Sequence, residues 1–332
     1  MPNSCSLLPG LVRGLAFFAP LFAALFSLPV AQAQYPQKTI RMIVPFAAAG
    51  PPDILGRLIA QKLGEQMGQS MIVENRAGAG GTIGARFVAE AAPDGYTLML
   101  GSIASLLISP ALYAKPGYDP INSFAPISVI GETSFALVVN PKLPAHSVKE
   151  LSNLAKAQPG KINYGSSTLG TPPHLMAEMF KSQAGVDIFG INYKGSADAV
   201  TALLSGDVQV LVDQYAALLP LIGSGKVRPL MVMSAKRFKG LPDVPSAPEA
   251  GLPGLAVVSW FGVLGPKGLP ADVVKRLHGE MVKAIGSKEL TDMLGRQGLE
   301  PLTSTPEEYA AMIRTDAPKW AAAVKASGAK VE

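Results

Sequence analysis

Cysteine is almost absent from the 332-residue chain. Cys5 is the only one, which excludes a disulfide scaffold and a cysteine-built zinc site. Histidine is scarce too: His146, His174 and His278 stand far apart, without the H-E-x-x-H pattern of a helical zinc site. Charged residues make up 16%, against about 25% in an average soluble domain. The net charge of +5 comes without any Lys/Arg run, a poor footprint for nucleic acid. Long hydrophobic runs are missing as well. Only Gly14–Ala33 approaches the roughly 20 apolar residues of a membrane span, which excludes a polytopic membrane protein. What is abundant is apolar residue, 48%, recurring to the end of the chain, and that excludes disorder. The length suggests about two domains.

The first 33 residues read as an export signal. Arg13 is the only charged side chain before Lys38, an apolar stretch follows through Leu28, and Ala31-Gln32-Ala33 has the small-x-small form of a cleavage site. Cleavage after Ala33 would remove Cys5 and leave a chain without thiols, suited to an oxidising compartment.

Beyond the leader the pattern is strand, Gly/Pro-rich turn, helix, repeated. Strands are predicted at 39–44, 71–74 and 96–100, with helices at 53–67 and 82–91. The same grammar returns with strands at 161–164, 188–193, 208–212 and 227–233 and helices at 172–180 and 197–204. A strand at 257–264 and helices at 271–285 and 306–327 close the chain. This alternation predicts an α/β fold of two blocks, with mainly parallel sheets flanked by helices. One domain would comprise 34–135 plus 256–332, the other 136–255.

In open parallel sheets ligands bind beyond the carboxyl ends of the strands, at helix N-termini that favour anions. Four turns are candidates: Phe46–Asp53, Asn75–Gly81, Gly165–Thr171 and Lys194–Ser196. Asp53 can cap a helix beginning at Ile54, orient its loop, or accept from a ligand. Arg76 can clamp a carboxylate or lie on the surface. His174 can line a cleft or cap its helix in solvent, and Trp260-Phe261 reads as core or, with Trp260 beside the hinge, as facing a ligand. Named motifs fail: Ile83 stands where G-x-G-x-x-G needs its third glycine, and neither G-x-x-x-x-G-K-[ST] nor G-x-S-x-G occurs. No catalytic residue, metal site or cofactor is expected. The rival enzyme reading, a periplasmic hydrolase using Ser166 or Ser167 with His174, lacks both an acid partner and the elbow.

The chain resembles the periplasmic solute-binding proteins of the tripartite tricarboxylate transporter family, the Bug proteins. The residues that carry the likeness include Ile43-Val44-Pro45-Phe46, Gly50-x-x-Asp53-x-x-x-Arg57 and Val73-Glu74-Asn75-Arg76-x-Gly78-Ala79-Gly80-Gly81. Others are Pro93-Asp94-Gly95-Tyr96, Tyr193-Lys194-Gly195, Leu241-Pro242-Asp243-Val244-Pro245 and Trp260-Phe261-Gly262. The resemblance implies a two-domain, type II-like flytrap, a monomer that binds a small carboxylate or its amide and docks on membrane transporter subunits. A sensing subunit of a two-component system would use the same cleft. Carried over by position, the ligand-binding residues are Phe46, Ala47, Gly50 and Asp53, with Asn75 and Arg76 behind them, and Ser102. From the second domain come Ser166, Thr168, Gly170, Thr171, His174, Lys194, Gly195 and Asp213. Where the family has paired glycines, this chain has Ala49-Gly50, and an alanine at positive φ would cost about 1 kcal/mol.

Overall fold

The computed structural model describes residues 35–166 and 170–329. The leader with its cleavage point, Cys5, Ser167 and Thr168 lie outside the described residues. Lys38–Glu332 forms one compact unit, and no helix of the described residues is long and apolar enough to cross a membrane.

The strands are β1 (Ile40–Val44), β2 (Met71–Asn75), β3 (Thr97–Ser102), β4 (Phe124–Thr133), β5 (Phe135–Val139), β6 (Asn163–Ser166), β7 (Phe189–Asn192), β8 (Val210–Gln214), β9 (Arg228–Val232), β10 (Ser259–Pro266) and β11 (Glu300–Pro301). The helices are α1 (Pro51–Met67), α2 (Thr82–Ala89), α3 (Ser109–Leu112, continuing a π-helical turn over Ala104–Ile108), α4 (Val148–Ala157) and α5 (Pro172–Ala184). They continue with α6 (Ser196–Ser205), α7 (Tyr215–Gly223), α8 (Ala271–Ile285), α9 (Lys288–Arg296) and α10 (Pro306–Ser327).

Helix α1 shows how local chemistry sets an element. Leu55, Ile59, Leu63 and Met67 recur at helical spacing and are buried, and Gly68 stops the helix in a left-handed cap at φ 65°. It starts two residues before the predicted Asp53. Pro51 and Pro52 occupy the first turn, where a missing N–H costs nothing.

Two sheets make an α/β two-lobed fold. The first has the order β11-β4-β10-β3-β1-β2 and the second β7-β6-β8-β5-β9. Both are mixed. Parallel pairing is confined to β2-β1-β3 and β7-β6-β8, while β10, β4 and β11 pair antiparallel, as do β5, β8 and β9. The cause is the double passage between lobes. The chain leaves the first sheet after Thr133 and enters the second at Phe135, then returns along 233–258 to β10. Outgoing β4 and returning β10 lie side by side, with Thr133 opposite Ser259, so they must run in opposite directions. Ser134, between the sheets, is fully buried, and its carbonyl accepts from Tyr215 N–H.

One hydrophobic core runs through both lobes, from Ile43 and Met99 to Leu137, Tyr164 and Phe180. Helix α10 belongs to it, burying Tyr309, Ile313 and Trp320 and packing on α5 of the second lobe. Trp260 is core, edge-on to Tyr309 at 5.2 Å, with its indole N–H on Asp316 Oδ2 at 3.3 Å. The Tyr309 ring packs against Gly262, where a Cβ would come within 2.6 Å of it. Gly262→Ala should therefore overpack the core and lower the free energy of urea unfolding by about 1–3 kcal/mol. An unchanged midpoint would show that this contact yields.

Candidate functional site

The register brings the expected turns together. Val44 at the end of β1 pairs with Asn75 at the end of β2, and parallel β3, paired with β1 as far as Met99, runs on to end at Ser102. In the second lobe Ser166 pairs with Asn192, and parallel β8 ends nearby at Asp213-Gln214.

In the first lobe Asp53 is the hub. It is only 3% exposed, and its carboxylate accepts from Ala49 N–H (2.9 Å), Arg57 Nε (3.0 Å) and Asn75 Nδ2 (2.9 Å). Asn75 Nδ2 also reaches the Phe46 carbonyl at 3.2 Å, and Arg57 Nη2 donates to Asn75 Oδ1 at 3.3 Å. The hydrogen bond from Arg57, with those from Asn75 and Ala49, outweighs burial and holds the Asp53 carboxyl at about 2. Gly50, in extended backbone, is the N-cap, and no side chain caps the helix. Asp53 thus sits inside the helix and organises the loop. Ala49 has φ 64°, the left-handed region in which alanine is strained.

The prolines correct the expectation of free helix N–H groups. Pro51-Pro52 and Pro172-Pro173 remove the donors of the first two helical positions, and the Asp53 and Ile54 amides return to the Gly50 carbonyl. The open donors lie one step earlier. Among the described residues the amides of Ala47, Ala48 and Gly50 donate to no protein acceptor. Nor do those of Gly195 and Ser196 at the start of α6.

Serines missed by the sequence reading pin the neighbouring turns. Ser109 Oγ donates to the Gly80 carbonyl at 2.7 Å, Ser105 Oγ to the Ser102 carbonyl at 3.3 Å, and Tyr118 OH to the Ser105 carbonyl. Arg76 is turned away from Asp53. Its Nε and Nη2 both donate to Glu74 Oε1, at 2.7 and 2.6 Å, and its guanidinium stacks 3.5 Å over the Phe87 ring.

The second lobe repeats the loop design. Gly170, at φ 76°, precedes the extended N-cap Thr171, and its N–H donates to His174 Nδ1 at 3.3 Å. His174 is 4% exposed, and burial lowers its pKa against the opposing charge of Glu178. Its Nδ1 is committed to that amide, which takes this nitrogen away from any general-base role toward Ser166. Asp213, also 4% exposed, accepts from Ser196 Oγ and from Gln214 N–H at 2.7 Å. Burial pushes its carboxyl up, partly offset by Ser196. Lys194 is exposed and Gly195 extended. Gly170 faces Leu112 of the first lobe, where a Cβ would lie 2.9 Å from Leu112 Cδ1. The buried Asp53, His174 and Asp213 side chains therefore face back into the scaffold, while the amides of Ala47, Ala48, Gly50, Gly195 and Ser196 stay open.

The family model "Tripartite tricarboxylate transporter family receptor" matches residues 55–329. The chain belongs to this receptor family. The family is one of periplasmic solute-binding receptors rather than enzymes. The receptor is 36% identical to Protein BugT of Bordetella pertussis over 305 residues, 92% of this chain and 94% of that one. It shares 36% identity and a TM-score of 0.73 with the structure "R. palustris Rpa4515 with adipate", covering 90% of this chain and 100% of that one. With MatC from Rhodopseudomonas palustris with bound malate it shares 29% identity and a TM-score of 0.69, over 87% and 100% of the two chains.

The receptor's hub is testable by stability alone. Asp53→Ala strands the donors of Ala49, Asn75 and Arg57 and should cost about 2 kcal/mol or more in chemical denaturation. Ala49→Gly should stabilise by about 1 kcal/mol by relieving the left-handed alanine. The Asp53 carboxyl lies below its ordinary 3.8, so its contribution is complete above that value and is lost as pH falls toward 2. Asp53→Asn should remove this acid-side slope from the unfolding free energy.

Proposed function

We propose that this receptor captures a small carboxylate, closes its two lobes around it, and presents the closed form to the membrane subunits of a tripartite transporter. The ligand class includes dicarboxylates, citrate-like acids, acidic amino acids and aromatic acids or their amides. In this reading the lobes are 34–135 with 256–332 and 136–255. The leader is cleaved after Ala33, and the mature monomer works in the periplasm. The observation that carries it is the pair of amide sets left open by the protein, Ala47, Ala48 and Gly50 in one lobe and Gly195 and Ser196 in the other. Consecutive amides near a helix start attract an anion through their partial charges. A ligand that contacts both sets gains more in the closed form than in the open one, which is what drives a population shift. Phe46 and Lys194 flank these donors in sequence, and together with Ser102 and Ser166 at strand ends and Thr171 at a helix N-cap they would select the remainder of the ligand. That Rpa4515 is described with adipate and MatC with malate supports an acid of this size.

Thermal unfolding of the mature protein with adipate, malate, citrate, acidic amino acids and nicotinate tests the proposal. A cognate acid at 100 times its Kd should add about 2.7 kcal/mol of stability. No shift from any acid or amide, at concentrations up to saturation of known receptors of this kind, would overturn it.

A further inference from the structure

The two lobes enter their Pro-Pro helices by the same device with different side chains. In each, a left-handed residue precedes an extended N-cap, and its amide is held by the third helical residue: Ala49 by Asp53, Gly170 by His174. The next turn explains the difference. Four residues after Asp53 stands Arg57, which donates to it at 3.0 Å, but four residues after His174 stands Glu178. An anion at 174 would be repelled there, whereas a neutral imidazole is not. To accept from Gly170, Nδ1 must be bare, so the ring proton sits on Nε2. The amide that His174 grips belongs to the residue that meets Leu112 across the lobes.

We propose that His174 is a positioning residue for ligand capture: its unprotonated Nδ1 holds Gly170 in the left-handed turn where the two lobes meet. Protonating or removing the imidazole then loosens the second-lobe side of the cleft and leaves the Asp53 side in place. The effect on affinity rests on the cleft being the carboxylate site proposed above; the effect on Gly170 does not.

Of the charged groups around it, Glu178 is the one that acts on the His174 ring. Glu178 favours the protonated ring, and burial disfavours it more strongly. Tyr164 of β6 donates its hydroxyl to Glu178, and Asp213 of β8 is held by Ser196 and Gln214. Asp316 and Lys319 of the packed α10 pair with each other, and Asp316 also accepts from Trp260. With its folded pKa below the ordinary 6.5, the ring is neutral at pH 7 and the turn is held. As pH falls from 6.5 toward the folded value the unfolded and loosened states take up more protons, so the hold is lost on the acid side.

The test compares wild type with His174→Asn, the uncharged analogue of the Asp53 solution, and with His174→Leu. Gly170 amide exchange is read by NMR in ligand-free protein between about pH 7.5 and about pH 5. At the upper end protection should match in wild type and His174→Asn and be about tenfold lower in His174→Leu. On acidification wild type should fall toward the leucine variant while the asparagine variant does not. Calorimetry with adipate and malate should show wild-type affinity dropping about tenfold relative to His174→Asn over the same range. Equal protection in wild type and His174→Leu, or a wild-type to asparagine affinity ratio independent of pH, overturns the proposal. If neither acid binds any of the three proteins, the Gly170 exchange alone decides the positioning role, and the thermal panel above decides the carboxylate reading separately.

Discussion

A buried carboxylate holding the amide of a left-handed alanine is the constraint from which the first lobe's ligand face follows. Ala49 at φ 64° would be strained by about 1 kcal/mol or more if left to itself. Asp53 offsets this by drawing in three donors from Ala49, Arg57 and Asn75, one of which also ties down the Phe46 carbonyl. Pro51-Pro52 supply no N–H and Gly50 accepts the next two, while the loop amides of Ala47, Ala48 and Gly50 meet no protein acceptor among the described residues. They are left for something else.

The same economy marks the whole site. Asp53, Asp213 and His174 are its buried titratable groups, and each turns inward. Their pKa values move in different directions for reasons the partners make plain. Donors dominate at Asp53 and lower it, burial dominates at Asp213 and raises it, and burial at His174 favours the neutral ring. A face built of backbone dipoles presents partial positive charge without a buried cation, and so avoids the desolvation cost that an arginine clamp would carry. The low charge content of the chain, 16%, is consistent with that design.

Much of the fold was legible because its signals are local. The 271–285 and 306–327 helices follow from apolar spacing, the latter begun by a capping box between Thr305 and Glu308. Of the crossing strands, β10 was read at 257–264 but β4 was not, nor was their pairing. β4 carries Pro126 and Gly131 in a mixed run, and its partner β10 is more than a hundred residues away, so no local pattern announces the pair. Helices 148–157, 215–223 and 288–296 were likewise unread, although Ser147 and Glu150 stand at the three-residue spacing of a helix start. At the site, the Gly-rich turns were legible from composition, and the Asp53–Arg57 pair stood at i,i+4 in plain view. Arg76 was ambiguous, since its partners Glu74 and Phe87 are set by how α2 lies on the sheet.

The amino-acid sequence by itself determined the α/β grammar, the Pro172-Pro173 helix start, the small turns at the strand ends and the family. All of these are properties of neighbouring residues and their order. Only the tertiary structure decided the mixed sheet order, the inward direction of Asp53, His174 and Asp213, and the closeness of Gly170 to Leu112. The physical reason is range. Backbone preference acts over a few residues, but which way a buried polar side chain turns depends on donors brought to it from distant parts of the chain, such as Asn75 to Asp53. Burial then makes that choice binding, because a polar group left unpaired there is costly.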